Sequence, residues 1–239
     1  MGLNMSDDLV QRPKVLFFDV NETLLDLTPL NDSIDSVLLE HNASTLWFTT
    51  MLQYALVMTV SDQYAPLQNI GASVLVMMAK DRDVNLSEDD AKSALLPLLS
   101  LPSHPDVRPA LMKLRDAGFR MATLTNSSSA GSSSQLEYAG IAEFFEKQLS
   151  VESTRKFKPH RDVYRWASDE MAVRPEECML IAAHPWDVAG AAWAGMRAAF
   201  IARVSNQTFP PAKPVECRSS DMDALATQLL AMNNNSRVD

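Results

Sequence analysis

Asp19 ends an apolar, β-branched and aromatic run, Val15-Leu-Phe-Phe18, and Thr23 follows four residues later in Asp19-Val-Asn-Glu-Thr23. A run bounded in this way reads as a buried parallel strand. Open α/β sheets bind their ligands beyond the carboxyl ends of the strands. Asp19 therefore sits where a reactive group belongs, and a carboxylate there can act as a nucleophile. The plainer alternative, an Asp that ends a strand or caps the next helix, stays open on this motif alone. Further along the chain come Thr125-Asn126, Lys158 in Phe157-Lys158-Pro159, and Asp187 in His184-Pro-Trp-Asp187. Each lies at the end of a strand pattern or the start of a helix pattern.

The elements that must position these residues can be read from apolar periodicity. Four segments read as buried parallel strands: Val15–Val20, Arg120–Thr125, Cys178–Ala183 and Arg197–Arg203. Helical patterns cover Asp106–Ala117, stopped by Gly118, then His160–Ala172, then Trp186–Ala194, stopped by Gly195. Strands alternating with helices imply βαβ units and a doubly wound sheet. Residues 28–101 contain no convincing strand. Within them Trp47, Met51, Ala55 and Met58 share a helical face, Ile70–Lys80 is a second apolar segment, and Ser87 with Asp90 forms a capping box for a helix running towards Leu99. The expectation is a small helical domain inserted at 28–101, with Leu101-Pro-Ser-His-Pro-Asp106 as its return hinge, between core segments 1–27 and 102–239. The serine-rich tract Ser127–Ser134 is read as a loop and helix start rather than a linker, and Asn233–Asp239 as a frayed polar end.

Composition narrows the function classes. The chain has 239 residues, 46% of them hydrophobic, enough for a substantial core. A formal charge of -9 argues against a nucleic-acid binder, so any anionic substrate must be held by local groups. Cys178 and Cys217 imply no disulfide framework and lack metal-ligand spacing. Met1–Asp8 lacks a basic segment followed by an apolar core, and Leu46–Val60 is broken by Thr49, Thr50, Gln53 and Thr59. The expectation is a cytoplasmic protein without a signal peptide or membrane span.

Taken together, the four motifs, their order and the helical insert after the first resemble the haloacid dehalogenase superfamily over about residues 13–230. Within it the pattern is similar to the L-2-haloacid dehalogenase branch, with Tyr164 six residues after the lysine and Trp186 just before the last aspartate. The resemblance implies a Rossmann-like core, a cap domain and a nucleophilic Asp19. Thr23 would fix the aim of Asp19, and Lys158 would keep it ionised and stabilise charge during ester hydrolysis. Asp187, with His184, would orient or deprotonate the attacking water. Val20, Asn21, Phe48, Thr125, Asn126, Tyr164 and Trp186 are expected to bind substrate. Plainer readings stay open: a surface lysine at 158, a helix N-terminal carboxylate at 187, an exposed loop histidine at 184, a core tyrosine at 164 and a packing tryptophan at 186.

Many superfamily members resemble magnesium-dependent phosphatases, and two departures argue against that chemistry here. The position two residues after the nucleophile, where such phosphatases carry a general acid, is Asn21. Residues 182–186, leading to Asp187, contain no carboxylate, so Asp19 and Asp187 form a poor magnesium site beside Lys158. The expectation is hydrolytic displacement at C2 of a small 2-substituted carboxylic acid, with no metal and no cofactor, and with a homodimer suggested by resemblance. One departure cuts the other way. The branch resembled here uses an arginine on an early cap helix, where this chain has Phe48, and a neighbouring arginine falls at Thr50; no arginine lies between Arg12 and Arg82. A halide would lose a donor, whereas a strained ring amine needs a proton more than a cationic cradle. An azetidine-2-carboxylate ring-opening hydrolase is therefore the runner-up, ahead of a phosphatase or a non-catalytic protein on the same scaffold.

Overall fold

The computed structural model describes residues 11–232. The expectations for Met1–Asp8 and for Asn233–Asp239 lie outside the described residues. Six parallel strands form one sheet: β1 (Val15–Phe18), β2 (Arg120–Thr125), β3 (Lys147–Ser150), β4 (Cys178–Ala182), β5 (Arg197–Ile201) and β6 (Cys217–Ser219). Their order is β3-β2-β1-β4-β5-β6, a doubly wound α/β arrangement in which the order of strand addition switches sides at β1. β1 pairs with both β2 and β4, Phe18 facing Thr123 on one side and Ile181 on the other. This register brings the loops after three strands to a common point beside Asp19.

Nine α-helices accompany these strands among the described residues. Between β1 and β2 come α1 (Thr28–Leu38), α2 (Ala43–Val60), α3 (Leu67–Lys80), α4 (Glu88–Ala94) and α5 (Val107–Asp116). After β2 come α6 (Ser129–Tyr138), α7 (Arg161–Glu170), α8 (Pro185–Ala194) and α9 (Met222–Leu230). The strand-free stretch expected at 28–101 is entirely helix and loop, and α1 packs on α2, α3 and α4. α4 stops before Leu99 because Pro97 has no N–H to continue the ladder; a 3-10 turn at Leu96–Ser100 replaces the helix end. Ser87 caps α4 as expected, accepting from the Asp90 backbone N–H at 3.1 Å.

Two strands were not foreseen. β3 is a sheet edge with the sequence Lys-Gln-Leu-Ser, and β6 is three residues long with Arg218 at its centre. Neither presents the apolar run that marks a buried strand. The fourth and fifth strands stop at Ala182 and Ile201, short of the expected ends, because the chain turns away from the ladder there. Gly118 and Gly195 do terminate their helices, at φ 75° and 100°. On α2, Trp47, Met51 and Ala55 are buried as the periodicity predicts, but Met58 is only half-buried. Thr59 is buried instead, its hydroxyl accepting from the Phe157 N–H at 3.0 Å. Among the described residues no helix is long and apolar enough to cross a membrane.

Candidate active site

The loop after β1 is built around its own backbone. The Asp19 N–H donates to the Ile181 carbonyl at 3.0 Å, and the N–H groups of Leu24 and Leu25 donate back to the Val20 carbonyl. Closing so tight a turn forces Glu22 into the left-handed region at φ 62°, an uncommon state for a residue with a side chain. Thr23 then points inward, donating to Oδ2 of Asp19 at 2.7 Å and accepting from the Ala183 N–H at 2.9 Å. Its hydroxyl ties the Asp19 carboxylate to the end of β4.

Lys158 is buried, and its ammonium spends all three protons. They go to Oδ1 of Asp19 at 2.8 Å, Oδ2 of Asp187 at 2.6 Å and the Leu124 carbonyl at 2.9 Å. Burial would lower the lysine, but the carboxylates of Asp187 and Asp19 outweigh it and hold it above its ordinary value. Burial would likewise raise Asp19; the Lys158 charge and the hydrogen bond from His184 prevail and hold it well below the usual carboxylate range. Asp19 is thus ionised and aimed, the condition of a carboxylate nucleophile.

Asp187 differs from its expected role. It is fully buried, and both of its oxygens are taken: Oδ2 by Lys158 and Oδ1 by the Tyr164 hydroxyl, which donates at 2.6 Å. Burial and the nearby Asp19 charge raise its carboxyl against the pull of Lys158. Fully buried and absent from the cavity lining, Asp187 does not meet a water there. Tyr164, expected at the substrate, is also fully buried and stands behind Asp187, away from the cavity wall. α8 comes close enough for this because residue 190 is glycine. A Cβ there would lie 2.4 Å from Cβ of Pro159 and 2.7 Å from the Tyr164 oxygen.

His184 stands where Asp187 was expected to work. Its Nδ1 lies 3.2 Å from Oδ2 of Asp19, and its Nε2 lies 2.6 Å from Oε2 of Glu22. The ring is stacked between Phe48 and Trp186, with centroids 5.7 and 5.2 Å away. Burial would lower the imidazole, but the hydrogen bonds to Asp19 and Glu22 and their charges raise it to about 9. At neutral pH it is an imidazolium donating from both nitrogens.

A cavity opens over these groups. Asp19, Asn21, Thr125, Asn126, His184, Trp186 and Phe48 line it, together with Ser127, Ser128, Gly131 and Gln135. Its far wall is apolar and comes largely from the inserted helices, with Leu27, Leu30, Trp47, Met51, Leu52, Leu67, Leu95, Leu98 and Leu99. Asn126 turns its Oδ1 to the Lys158 backbone N–H at 2.9 Å, leaving its amide nitrogen free to donate elsewhere. Asn21 donates to Oγ of Ser127 and accepts from Gln135, whose amide also donates to the Leu98 carbonyl, so one chain links core loops to the inserted segment. Val20 does not reach the cavity; its side chain is fully buried in the hydrophobic core.

Sequence reasoning missed Glu22 and Gln135. Glu22 sits inside the first motif, but nothing local announces its meeting with a histidine 162 positions away. Gln135 lies in the serine-rich tract's helix, where its exposure could not be judged. As for metal, the ammonium of Lys158 fills the space between the two carboxylates that a bridging cation would need. Among the described residues no three His, Cys, Asp or Glu side chains are grouped to hold an ion.

The model of the haloacid dehalogenase-like hydrolases matches residues 13–195. The chain is similar to haloacetate dehalogenase H-2 of Moraxella sp. (strain B), 28% identical over 196 residues that cover 81% of this chain and 88% of the relative. It is similar to (S)-2-haloacid dehalogenase 1 of Pseudomonas sp. (strain CBS-3), 27% identical over 218 residues, or 90% of this chain and 96% of the relative. The L-2-haloacid dehalogenase structure from Xanthobacter autotrophicus superposes with a TM-score of 0.84 at 20% identity, covering 92% of this chain and all of that one; at this identity the fold is what is shared. The matched span contains Asp19, Thr23, Thr125, Asn126, Lys158 and Asp187, and on it the chain belongs to the haloacid dehalogenase-like hydrolases.

Proposed function

We propose that the chain hydrolyses a small 2-substituted carboxylic acid by displacement at C2, a 2-haloacid dehalogenase type of reaction that needs no metal. The carrying observation is the Asp19 carboxylate itself: ionised, held by Lys158, Thr23 and His184, and presented to a mostly apolar cavity. In the first step an Asp19 oxygen attacks C2, an ester bond forms, and halide departs with the bonding pair. In the second, water attacks the Asp19 carbonyl carbon, the ester breaks, and the 2-hydroxy acid leaves. Asn126, Ser127 and Ser128 offer neutral donors for the substrate carboxylate. A dry cavity raises the reactivity of the carboxylate by removing its water. The names of the haloacid dehalogenases it resembles support this reading.

Halide release from both enantiomers of 2-chloropropionate in EDTA, with Asp19→Asn as control, tests it. In a single turnover in H2-18O, the first product should carry unlabelled oxygen from Asp19. Solvent label in that first product would sink the ester mechanism.

A second reading has its own support. Among the described residues no lysine or arginine lines the cavity; Phe48 stands on its wall, and His184 is the cationic group there. A protonated imidazole suits a departing amine, so opening of a strained ring acid such as azetidine-2-carboxylate is the assay to run if no halide is released.

Residues 28–101 then act as a cap over a core that among the described residues comprises 11–27 and 102–232, closing on the substrate. The exposed apolar face of α2, with Leu46, Tyr54, Leu56, Val57 and Val60, supports a homodimer through the cap. Cys178 and Cys217 are both free and buried, which suits the reducing cytoplasm.

A further inference from the structure

Ester hydrolysis needs a base with an open lone pair within reach of the attacking water. Asp187 is out of that reach: it is fully buried, bonded to Lys158 and Tyr164, and lies outside the cavity wall. His184 is on that wall, with Nδ1 against Asp19 and Nε2 against Glu22. We propose that Glu22 and His184 form the proton-handling pair of the reaction, with His184 the base for the hydrolytic water and Glu22 the residue that positions it. This rests on the Asp19-ester reading given above.

The geometry assigns each nitrogen a task. Nε2–H is held by Glu22 at 2.6 Å, which selects the tautomer that leaves Nδ1 facing Asp19. Glu22 can hold that direction because its backbone is locked at φ 62° and its carbonyl lies 3.3 Å from Nε2 of His104. Backbone strain of this kind persists only where the surroundings impose it. The rings of Phe48 and Trp186 clamp the imidazole on both faces. The charges that face it are Asp19 and Glu22 from the first loop, with Lys158 and Asp187 one contact further away through Asp19. α2 contributes only the neutral Phe48.

The proton balance closes. In the resting state Asp19 is an anion and His184 an imidazolium. Attack on C2 turns Asp19 into a neutral ester and expels the leaving group with its electron pair. The imidazolium then loses the anion that held its Nδ1 proton, and that proton passes to a departing amine or, for halide, to solvent. Neutral Nδ1 next takes a proton from water as the water oxygen bonds to the Asp19 carbonyl carbon. The tetrahedral adduct collapses, the carbon–oxygen ester bond breaks, and the adduct's remaining hydroxyl proton goes to the leaving alkoxide. The products are the hydroxy acid, the Asp19 carboxylate and the His184 imidazolium, which is the starting state.

The test is rapid-quench intact-mass analysis of the full chain with 2-chloropropionate, comparing wild type, His184→Gln, Glu22→Gln and Asp187→Asn. The Asp19 adduct should form in both dyad variants and persist, with hydrolysis slowed about 10²–10⁴-fold in His184→Gln. Glu22→Gln should slow the same step less and shift its pH profile, and Glu22→Asp should recover part of the rate. Adduct breakdown at the wild-type rate in both dyad variants would overturn the proposal, as would a stall in Asp187→Asn alone. A substrate-free readout separates this from failure of the ester reading. The His184 ring should titrate near 9 in wild type and lower in Glu22→Gln. If no adduct forms even in wild type, the ester reading falls; an unchanged titration in the isosteric Glu22→Gln would overturn the pairing itself.

Discussion

The Lys158 ammonium lies 2.8 Å from Oδ1 of Asp19 inside the protein, with 2% of the lysine and 5% of the aspartate exposed. The same nitrogen is 2.6 Å from Asp187, so one buried cation compensates two buried anions. Removing one member of such a group costs far more than the group's net contribution, because a charge is left unpaired in a poorly solvating interior. Lys158→Met should therefore destabilise the fold by about 3–5 kcal/mol, read as the shift in denaturant midpoint. Asp19→Asn should cost much less, since Lys158 keeps Asp187 as partner, yet it should abolish turnover. Equal stability losses in the two variants would contradict this account.

His184 predicts a pH dependence of stability. Its folded value, about 9, lies above the ordinary 6.5, so its charged form stabilises the fold. That contribution is complete below pH 6.5 and is lost as pH rises through about 9. The loss should be on the order of 3 kcal/mol. Denaturation midpoints from pH 6 to 10 should fall for wild type and stay flatter for His184→Gln. Asp19 works in the opposite sense: its depressed carboxyl stabilises above the ordinary carboxylate value and is lost as pH falls below it.

Gly190→Ala should destabilise although alanine is the better helix former by about 0.8–1.0 kcal/mol. The added Cβ would meet Pro159 and the Tyr164 oxygen at 2.4 and 2.7 Å. Overpacking of this kind costs about 1–3 kcal/mol. Because the displaced groups flank Lys158 and Asp187, activity should fall with the melting temperature. A variant more stable than wild type would refute the close approach.

Phe48→Arg would place a guanidinium where a ring now stacks on His184 at 5.7 Å. Like charge disfavours the imidazolium, so His184 should titrate below about 9. Affinity for a carboxylate substrate should rise at the same time. An unmoved histidine titration would mean that the two groups do not feel each other.

Lysines at Leu46 and Val57, both exposed on α2, should leave the fold and the cavity intact. If α2 forms the dimer face, light scattering should show wild-type dimers and a monomeric double variant. Monomeric wild type would remove the homodimer from the proposed function.

Much of the fold was legible because buried parallel strands announce themselves as apolar runs. Val15–Phe18 and Cys178–Ala182 have that pattern and lie at the sheet centre. β3 and β6, at the two edges, bury too little to carry it. The same logic holds for the site. Asp19, Thr23, Lys158 and Asp187 could be found because each sits in a loop that follows a strand or leads to a helix, or in a helix's first turn, where local pattern and chemistry coincide.

What the sequence determined by itself was the inventory: a carboxylate beyond a central strand, a lysine and a second carboxylate to accompany it, and a helical insert between the first two strands. Tertiary structure alone decided which group faces the cavity and which stands behind. Asp187 and Tyr164 were withdrawn from substrate by the close approach of α8 at Gly190. His184 and Glu22, far apart in the chain, were joined at 2.6 Å by the pairing of β1 with β4 and a left-handed turn. Residue type sets what a group can do; its burial and its partners across the sheet set whether it is free to do it, and those depend on contacts that local sequence does not contain.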